Sequence, residues 1–251
     1  MNYLLEVCVD SVESAIIAER AGASRLELCA NLMIGGTTPT LALFREVQKQ
    51  VSIPIHILIR PRFGDFLYTN AEFEIIKQEM IQFRQAGANG VVIGVLNPDG
   101  TLDMLRMQQL MQLTDGMSVT LHRAFDLTQN AFEALEQACQ LGINTILTSG
   151  QQSNCQKGKT LLANLVQKAN GRIHILAAGG VCANVIDEVF DTIGTSFYHM
   201  SGKTELNSGM KFRRQGVPMG LDGINEYIIW RTDETTIRQA VHTLIQHTNK
   251  K

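Results

Sequence analysis

The chain has no polybasic run, no long apolar run, no paired-cysteine motif and no low-complexity segment, and each absence removes a class of protein. No stretch approaches the roughly 18–20 apolar residues that a membrane-crossing helix needs. The first residues, Met1-Asn2-Tyr3-Leu4, lack the charged and then apolar segments of a secretory leader, so none is expected. Lysine and arginine number 22 against 24 acidic residues, a net charge of −2 with both signs scattered, so neither a nucleic acid nor a membrane surface is an expected partner. The cysteines are Cys8, Cys29, Cys139, Cys155 and Cys182, an odd number without any Cys-x-x-Cys. That pattern argues against a disulfide framework and points to the cytoplasm.

What is present is a globular composition, 45% hydrophobic and 18% charged over 251 residues, with no interdomain linker. A rhythm recurs in it: a helical stretch ends in a small-residue turn with glycine, and a short apolar strand follows. Ala21-Gly22-Ala23-Ser24 leads into Arg25-Leu26-Glu27-Leu28, and Ala86-Gly87-Ala88-Asn89 leads into Gly90-Val91-Val92-Ile93. Glycine suits the position just past a helix end because it tolerates positive φ. Strands are expected at about 3–9, 25–29, 54–60, 90–95, 117–122, 144–148, 172–178 and 195–200. Helices are expected at about 11–21, 40–51, 71–86, 102–114, 129–141, 158–170, 181–192 and 233–248. Eight alternations in this length describe a single-domain (β/α)8 TIM barrel over residues 1–251, with a doubly wound open sheet as the rival. The longest irregular stretch, about 201–232, follows the eighth strand. In a barrel it would lie at the carboxyl-terminal face, where barrel active sites sit.

The first two strands each carry Glu-x-Cys, in Leu4-Leu5-Glu6-Val7-Cys8 and Arg25-Leu26-Glu27-Leu28-Cys29. Side chains alternate faces along a strand, so Glu6 and Cys8 share one face, and Glu27 and Cys29 another. Leu5, Val7, Val9, Leu26 and Leu28 form the opposite, helix-covered face. The same alternation turns Arg60 inward at the top of strand three and His122 inward at the top of strand five, with Arg123 and Asp126 in the loop that follows. Arg62 stands in the polar loop after strand three. Gly179-Gly180 ends strand seven, and His199, Ser201 and Gly202 end strand eight.

Several ionisable groups facing inward are costly to bury for stability alone. Glu6 or Glu27 would act as general acid or base with His122 as partner, and Arg60, Arg62 and Arg123 would grip an anion. The backbone donors of Gly179, Gly180, Ser201 and Gly202 would add a phosphate cradle ahead of a helix N-terminus. The plain alternatives are a buried ion-pair network, in which Arg60 and Arg25 between them neutralise the two acids Glu6 and Glu27, and tight turns that need glycine. Two thiolates on neighbouring strands suit Cu(I) or Zn(II); alternatively Cys8 and Cys29 pack as small hydrophobes. No lysine stands at an expected strand top, which argues against Schiff-base chemistry.

These strings together resemble the copper homeostasis protein CutC family. The likeness rests on Glu6-Val7-Cys8-Val9-Asp10-Ser11, Arg25-Leu26-Glu27-Leu28-Cys29, Gly35-Gly36-Thr37-Thr38-Pro39, Ile59-Arg60-Pro61-Arg62 with Gly64-Asp65-Phe66 and Tyr68, His122-Arg123-Ala124-Phe125-Asp126 and Leu147-Thr148-Ser149-Gly150. It spans the chain to about residue 202. Ala177-Ala178-Gly179-Gly180 departs from the Ala-Gly-Gly-Gly expected there. The resemblance implies a cytoplasmic (β/α)8 barrel that binds copper(I) through Cys8 and Cys29. Two functions follow as expectations. One is copper(I) binding in copper homeostasis, with the thiolates as metal ligands. The other is a barrel enzyme acting by acid/base chemistry on a small anionic or phosphorylated metabolite. Assembly as a homo-oligomer is left open.

Overall fold

The computed structural model describes residues 3–249 apart from 218, 221 and 222. Eight parallel strands close into a barrel: β1 (Leu4–Val9), β2 (Arg25–Leu28), β3 (Ile55–Leu58), β4 (Gly90–Ile93), β5 (Ser118–Leu121), β6 (Thr145–Thr148), β7 (His174–Ala177) and β8 (Phe197–Met200). Helices α1 (Val12–Arg20), α2 (Leu41–Gln48), α3 (Asn70–Gln85), α4 (Met104–Met111), α5 (Ala131–Gln140), α6 (Lys159–Ala169) and α7 (Ala183–Ile193) follow β1 to β7 in turn, and α8 (Glu234–Thr248) ends the chain. β8 pairs with β1, which closes the ring and rules out the open sheet.

Six of the eight helices, all but α6 and α7, start where a side-chain oxygen takes a free N–H group of the first turn. Ser11 caps α1, Thr40 caps α2, Asp233 caps α8, and Thr69 with Glu72 makes a reciprocal capping box on α3. The outward rows of the strands bury against these helices. Leu5, Val7, Val9, Leu26, Leu28, Ile55, Ile57 and Ile59 all belong to one core with Phe44, Met80, Phe83 and Leu165.

The inward rows hold two smaller apolar clusters. Leu147, Leu176 and Ala178 pack with Leu4 and Phe197, and Cys8 and Cys29 pack with Leu58 and Val92. Polar side chains occupy the space between: Glu6, Glu27, His56 and Thr120 are all buried. Barrel interiors are usually filled by branched aliphatics, so an ionisable interior of this kind is the first structural pointer to chemistry.

Residues 201–232 are not wholly irregular. An antiparallel ribbon forms between β9 (Lys203–Asn207) and β10 (Ile228–Thr232), with Glu205 opposite Trp230. β9 is exposed along its whole length, so Lys-Thr-Glu-Leu-Asn carries no alternation that would mark a half-buried strand. The ribbon is tied to the barrel by the Thr232 N–H, which donates to Ser14 Oγ at 3.1 Å, and by Asp233 N–H, which donates to the Gly202 carbonyl at 2.7 Å.

Candidate functional site

The floor of the barrel mouth is built from β1, β2 and β8. Parallel register sets Glu6 opposite Arg25 on one side and opposite His199 on the other. Glu6 has no exposed surface, and both its oxygens are occupied. Arg25 Nε donates to Oε2 at 2.6 Å, and His199 Nδ1 meets Oε1 at 2.8 Å. Burial alone would raise the Glu6 carboxyl, but Arg25 and His199 outweigh it and hold the group down at about 2. Of the two arginines expected to neutralise the inward acids, Arg25 does so, at Glu6.

Glu27 differs. Its nearest cationic partner is His199, whose Nε2 lies 3.7 Å from Oε2. Burial raises the carboxyl, His199 offsets only part of that, and neighbouring Glu6 adds to it, so Glu27 is pushed up to about 7. His199 is held well above its ordinary value: burial works against the imidazolium, but Cys8, Glu6 and Glu27 prevail. Cys8 Sγ, a Glu27 oxygen and a His199 ring nitrogen lie within 4.8 Å of one another, the one such three-ligand group among the described residues. Cys29 is not part of it. Its Sγ donates to the Glu27 carbonyl at 3.7 Å, and burial, then Glu27 and Cys8, push its thiol well up.

The opposite wall comes from β3, β5 and their loops. Arg60 was expected to neutralise a carboxylate, and it does not. Its guanidinium donates to the carbonyls of Gly35 (3.1 Å), Gly36 (3.0 Å) and Gly64 (2.7 Å) and stands over the Phe66 ring. The loops after β2 and β3 reach it before any acid does. Nor is His122 beside Glu6 or Glu27 as their proton partner. Its Nδ1 accepts the Ala124 N–H at 3.2 Å, starting a 3-10 turn, and its ring packs against Phe66 with centroids 4.7 Å apart. Burial, reinforced by Arg60, holds His122 neutral, down at about 3.

Arg123 donates from Nε to Asp126 at 2.7 Å and from Nη2 to Ser149 Oγ at 2.8 Å. Asp126 in turn accepts from Thr148 Oγ1 and from the Ser149 and Gln151 N–H groups, so it pins the loop after β6. Arg62 points away from the mouth in its bonding: it pairs with Glu72 at 2.6 Å and Asp65 at 2.9 Å. Gly179 and Gly180 lie under the loop after β6, where a Cβ on either would meet Asn154 at 3.2 and 3.4 Å. Gly202 is held by the ribbon anchor.

Cys8, Glu27, Cys29, Arg60, His122, Arg123 and Ser201 thus share one cavity of about 220 Å³, and Glu6 lies beneath it. Two further residues line it that sequence reasoning left unassigned, His199 and Lys203. His199 was legible as an inward residue, since it alternates with Phe197 and Ser201. Lys203 was legible only coarsely, as a charge in the 201–232 stretch expected at the carboxyl-terminal face: it follows the strand, and the ribbon brings its Nζ to 4.5 Å from the Trp230 ring centre at the mouth. The lysine missing from the strand tops is supplied by the ribbon instead.

Glycines make room for the two neutral histidines. Gly90 and Gly94 are inward positions of the β4 row, and a Cβ there would come within 2.5 Å of the His56 ring and 2.6 Å of the His122 ring. Gly94→Ala should therefore cost about 1–3 kcal/mol by overpacking, read from urea unfolding. A variant as stable as the parent would mean that the His122 ring is free to move aside.

The CutC family model matches residues 3–204 of the chain. A human protein named copper homeostasis protein cutC homolog is 41% identical over 238 residues, 94% of this chain and 87% of the relative. A CutC family protein of Bacteroides fragilis is 43% identical over 247 residues, 97% of this chain and 96% of its own. Among solved structures, a protein from Streptococcus agalactiae described as copper homeostasis protein CutC superposes with a TM-score of 0.75 at 28% identity, covering 79% of this chain and 98% of that one.

Proposed function

The chain belongs to the CutC family, and from that premise we propose that it binds copper(I) at the floor of the barrel mouth, with Cys8 and His199 as ligands and Glu27 beside them. The observation that carries this reading is the clustering of the three ligand atoms within 4.8 Å at the base of an open cavity. A thiolate and an imidazole are soft and borderline donors, the kinds that copper(I) favours. Glu6 supports the site from below, because its bond to His199 Nδ1 leaves Nε2 turned to Glu27 and Cys8, as outer partners of metal-bound histidines do. All five cysteines are free thiols, which fits a reducing compartment such as the cytoplasm, and no helix among the described residues is long and apolar enough to cross a membrane.

Copper(I) titration against a competing chromophoric chelator tests the proposal. The parent should take up one equivalent. Cys8→Ser should weaken binding by at least about a hundredfold, and His199→Gln by at least about tenfold, as expected for the loss of a ligand. Cys29→Ser distinguishes two ligand sets. Binding close to that of the parent supports Cys8 with His199, whereas a loss equal to that of Cys8→Ser supports the thiolate pair Cys8 and Cys29. Unchanged stoichiometry and affinity in Cys8→Ser would end the copper reading.

A second reading, acid/base catalysis on a small anionic substrate, is favoured by Glu27: a buried carboxyl held at about 7 on a cavity floor is poised to take or give a proton near neutral pH. Glu6, which does not line the cavity, would serve it only by positioning His199.

A further inference from the structure

The cavity has two chemically different walls. The Cys8, Glu27 and His199 side is acidic and thiol-bearing. The other side holds a buried cation with no counter-ion among the described residues. Arg60 is 8% exposed, and its three partners are neutral carbonyls. No carboxylate lies within ion-pair distance of it among the described residues, and its Nε has no hydrogen-bond partner. The Phe66 face, 5.0 Å from the guanidinium carbon, offsets part of the charge. A buried charge is nonetheless costly unless it is paired.

His122 adds a second unmet donor. Because Nδ1 accepts the Ala124 N–H, the proton of the neutral ring is on Nε2, and that Nε2 is buried without a partner. Burial and Arg60 keep the ring from taking a second proton, so this N–H is a fixed donor. Arg123 stands at the rim beside them with its side chain 45% exposed; Asp126 and Ser149 take Nε and Nη2 and leave Nη1 over. All three residues line the same cavity.

We propose that this wall is a binding site for the anionic group of a small molecule, a carboxylate or a phosphate, held by Arg60, Arg123 and the Nε2–H of His122. An anion there supplies the counter-charge that Arg60 lacks and the acceptor that His122 lacks, and guanidinium groups present donors in the planar fork that matches either group. The rest of the ligand then faces Glu27 and Cys8 across the cavity, whose volume of about 220 Å³ admits only a small metabolite. The site is separate from the copper ligands and stands without them.

Calorimetry on the metal-free full chain tests it, with inorganic phosphate as one probe and succinate as the other. Saturable one-to-one binding is expected for at least one probe, and the stronger of the two assigns a phosphate or a carboxylate ligand. His122→Phe keeps the ring and its packing on Phe66 but removes the donor. Arg60→Lys keeps the charge but loses the fork. Each should weaken binding by roughly tenfold or more, the usual effect of losing a hydrogen bond to a charged group. Arg123→Gln, at the exposed rim, serves if either core variant fails to fold. Cys139→Ser, a thiol on α5 outside this cavity, should bind the probe as the parent does. Absence of saturable binding of either probe at about 10 mM, or parental binding in all the folded variants, would overturn the proposal and leave Arg60 as a clamp for the loops alone.

Discussion

Arg25→Met is expected to destabilise the fold by about 3–5 kcal/mol, the usual consequence of removing one partner of a buried ion pair. Glu6 is completely buried, and Arg25 Nε is 2.6 Å from its Oε2. Arg25 is also the largest influence holding the Glu6 carboxyl at about 2 against the pull of burial. Without it, one carboxylate oxygen is left in the barrel interior with no donor, and only His199 remains to balance the charge. The loss should appear as a lower urea midpoint with little change in the slope of the transition. Arg25→Met combined with Glu6→Gln should recover much of it, because no charge is then stranded; the two residues touch, so their effects should not add. A loss below about 1 kcal/mol in the single variant would mean that water or a shifted side chain replaces Arg25, and that the barrel floor is wetter than its burial indicates. The same substitution should disturb His199, since the two groups share Glu6.

His122 should make the protein sensitive to acid through its neutral form. Its folded value is about 3, below the 6.5 of an unfolded imidazole. Between those two values the unfolded chain binds a proton at this residue and the folded chain does not. Its contribution is therefore complete above about pH 6.5 and is lost as pH falls toward 3. From pH 6.5 to pH 4 the loss amounts to about 3 kcal/mol at 1.36 kcal/mol per unit. Other groups titrate in the same window: His56, lowered to about 4, acts in the same direction, and Glu27, raised to about 7, in the opposite one. The residue-specific part is isolated by difference. The parent should lose about 3 kcal/mol more than His122→Phe between pH 6.5 and 4, as read from urea unfolding at each pH. Equal losses in the two proteins would mean that the imidazole takes a second proton in the folded state, on an Nδ1 that has released the Ala124 N–H.

How far the candidate site was legible follows from which of its relations are local. The pairing of Glu6 with Arg25 could be read because β1 and β2 are joined by one helix and their register is that of neighbouring parallel strands. The inward direction of Glu27, Arg60 and His122 could be read from alternation alone. The partners of Arg60 could not. Its guanidinium reaches carbonyls of two loops, at Gly35, Gly36 and Gly64, and loop backbone has no periodic signature. The group Cys8, Glu27 and His199 depends on a contact 193 residues apart, since Glu6 and His199 meet only where the last strand closes on the first. Lys203 enters the mouth because an exposed ribbon folds back over it, and an exposed strand carries no hydrophobic period.

The order of strands and helices, the outward hydrophobic rows and the inward turn of the ionisable residues were determined by the sequence itself, because each is set by a period of 2 or 3.6 residues and by the turn chemistry between elements. Membership of the family was legible in the same way, in contiguous strings. Which inward groups meet was decided only by the closed barrel. Closure converts eight separate rows into one interior, whose burial raises the proton affinity of Glu27, and the register between β8 and β1 brings His199 to Glu6 and to the Cys8–Glu27 pair that β1 and β2 already set side by side. The same closure, with its loops, leaves Arg60 without an acid, because the distance between facing walls is a property of the ring and of no single strand.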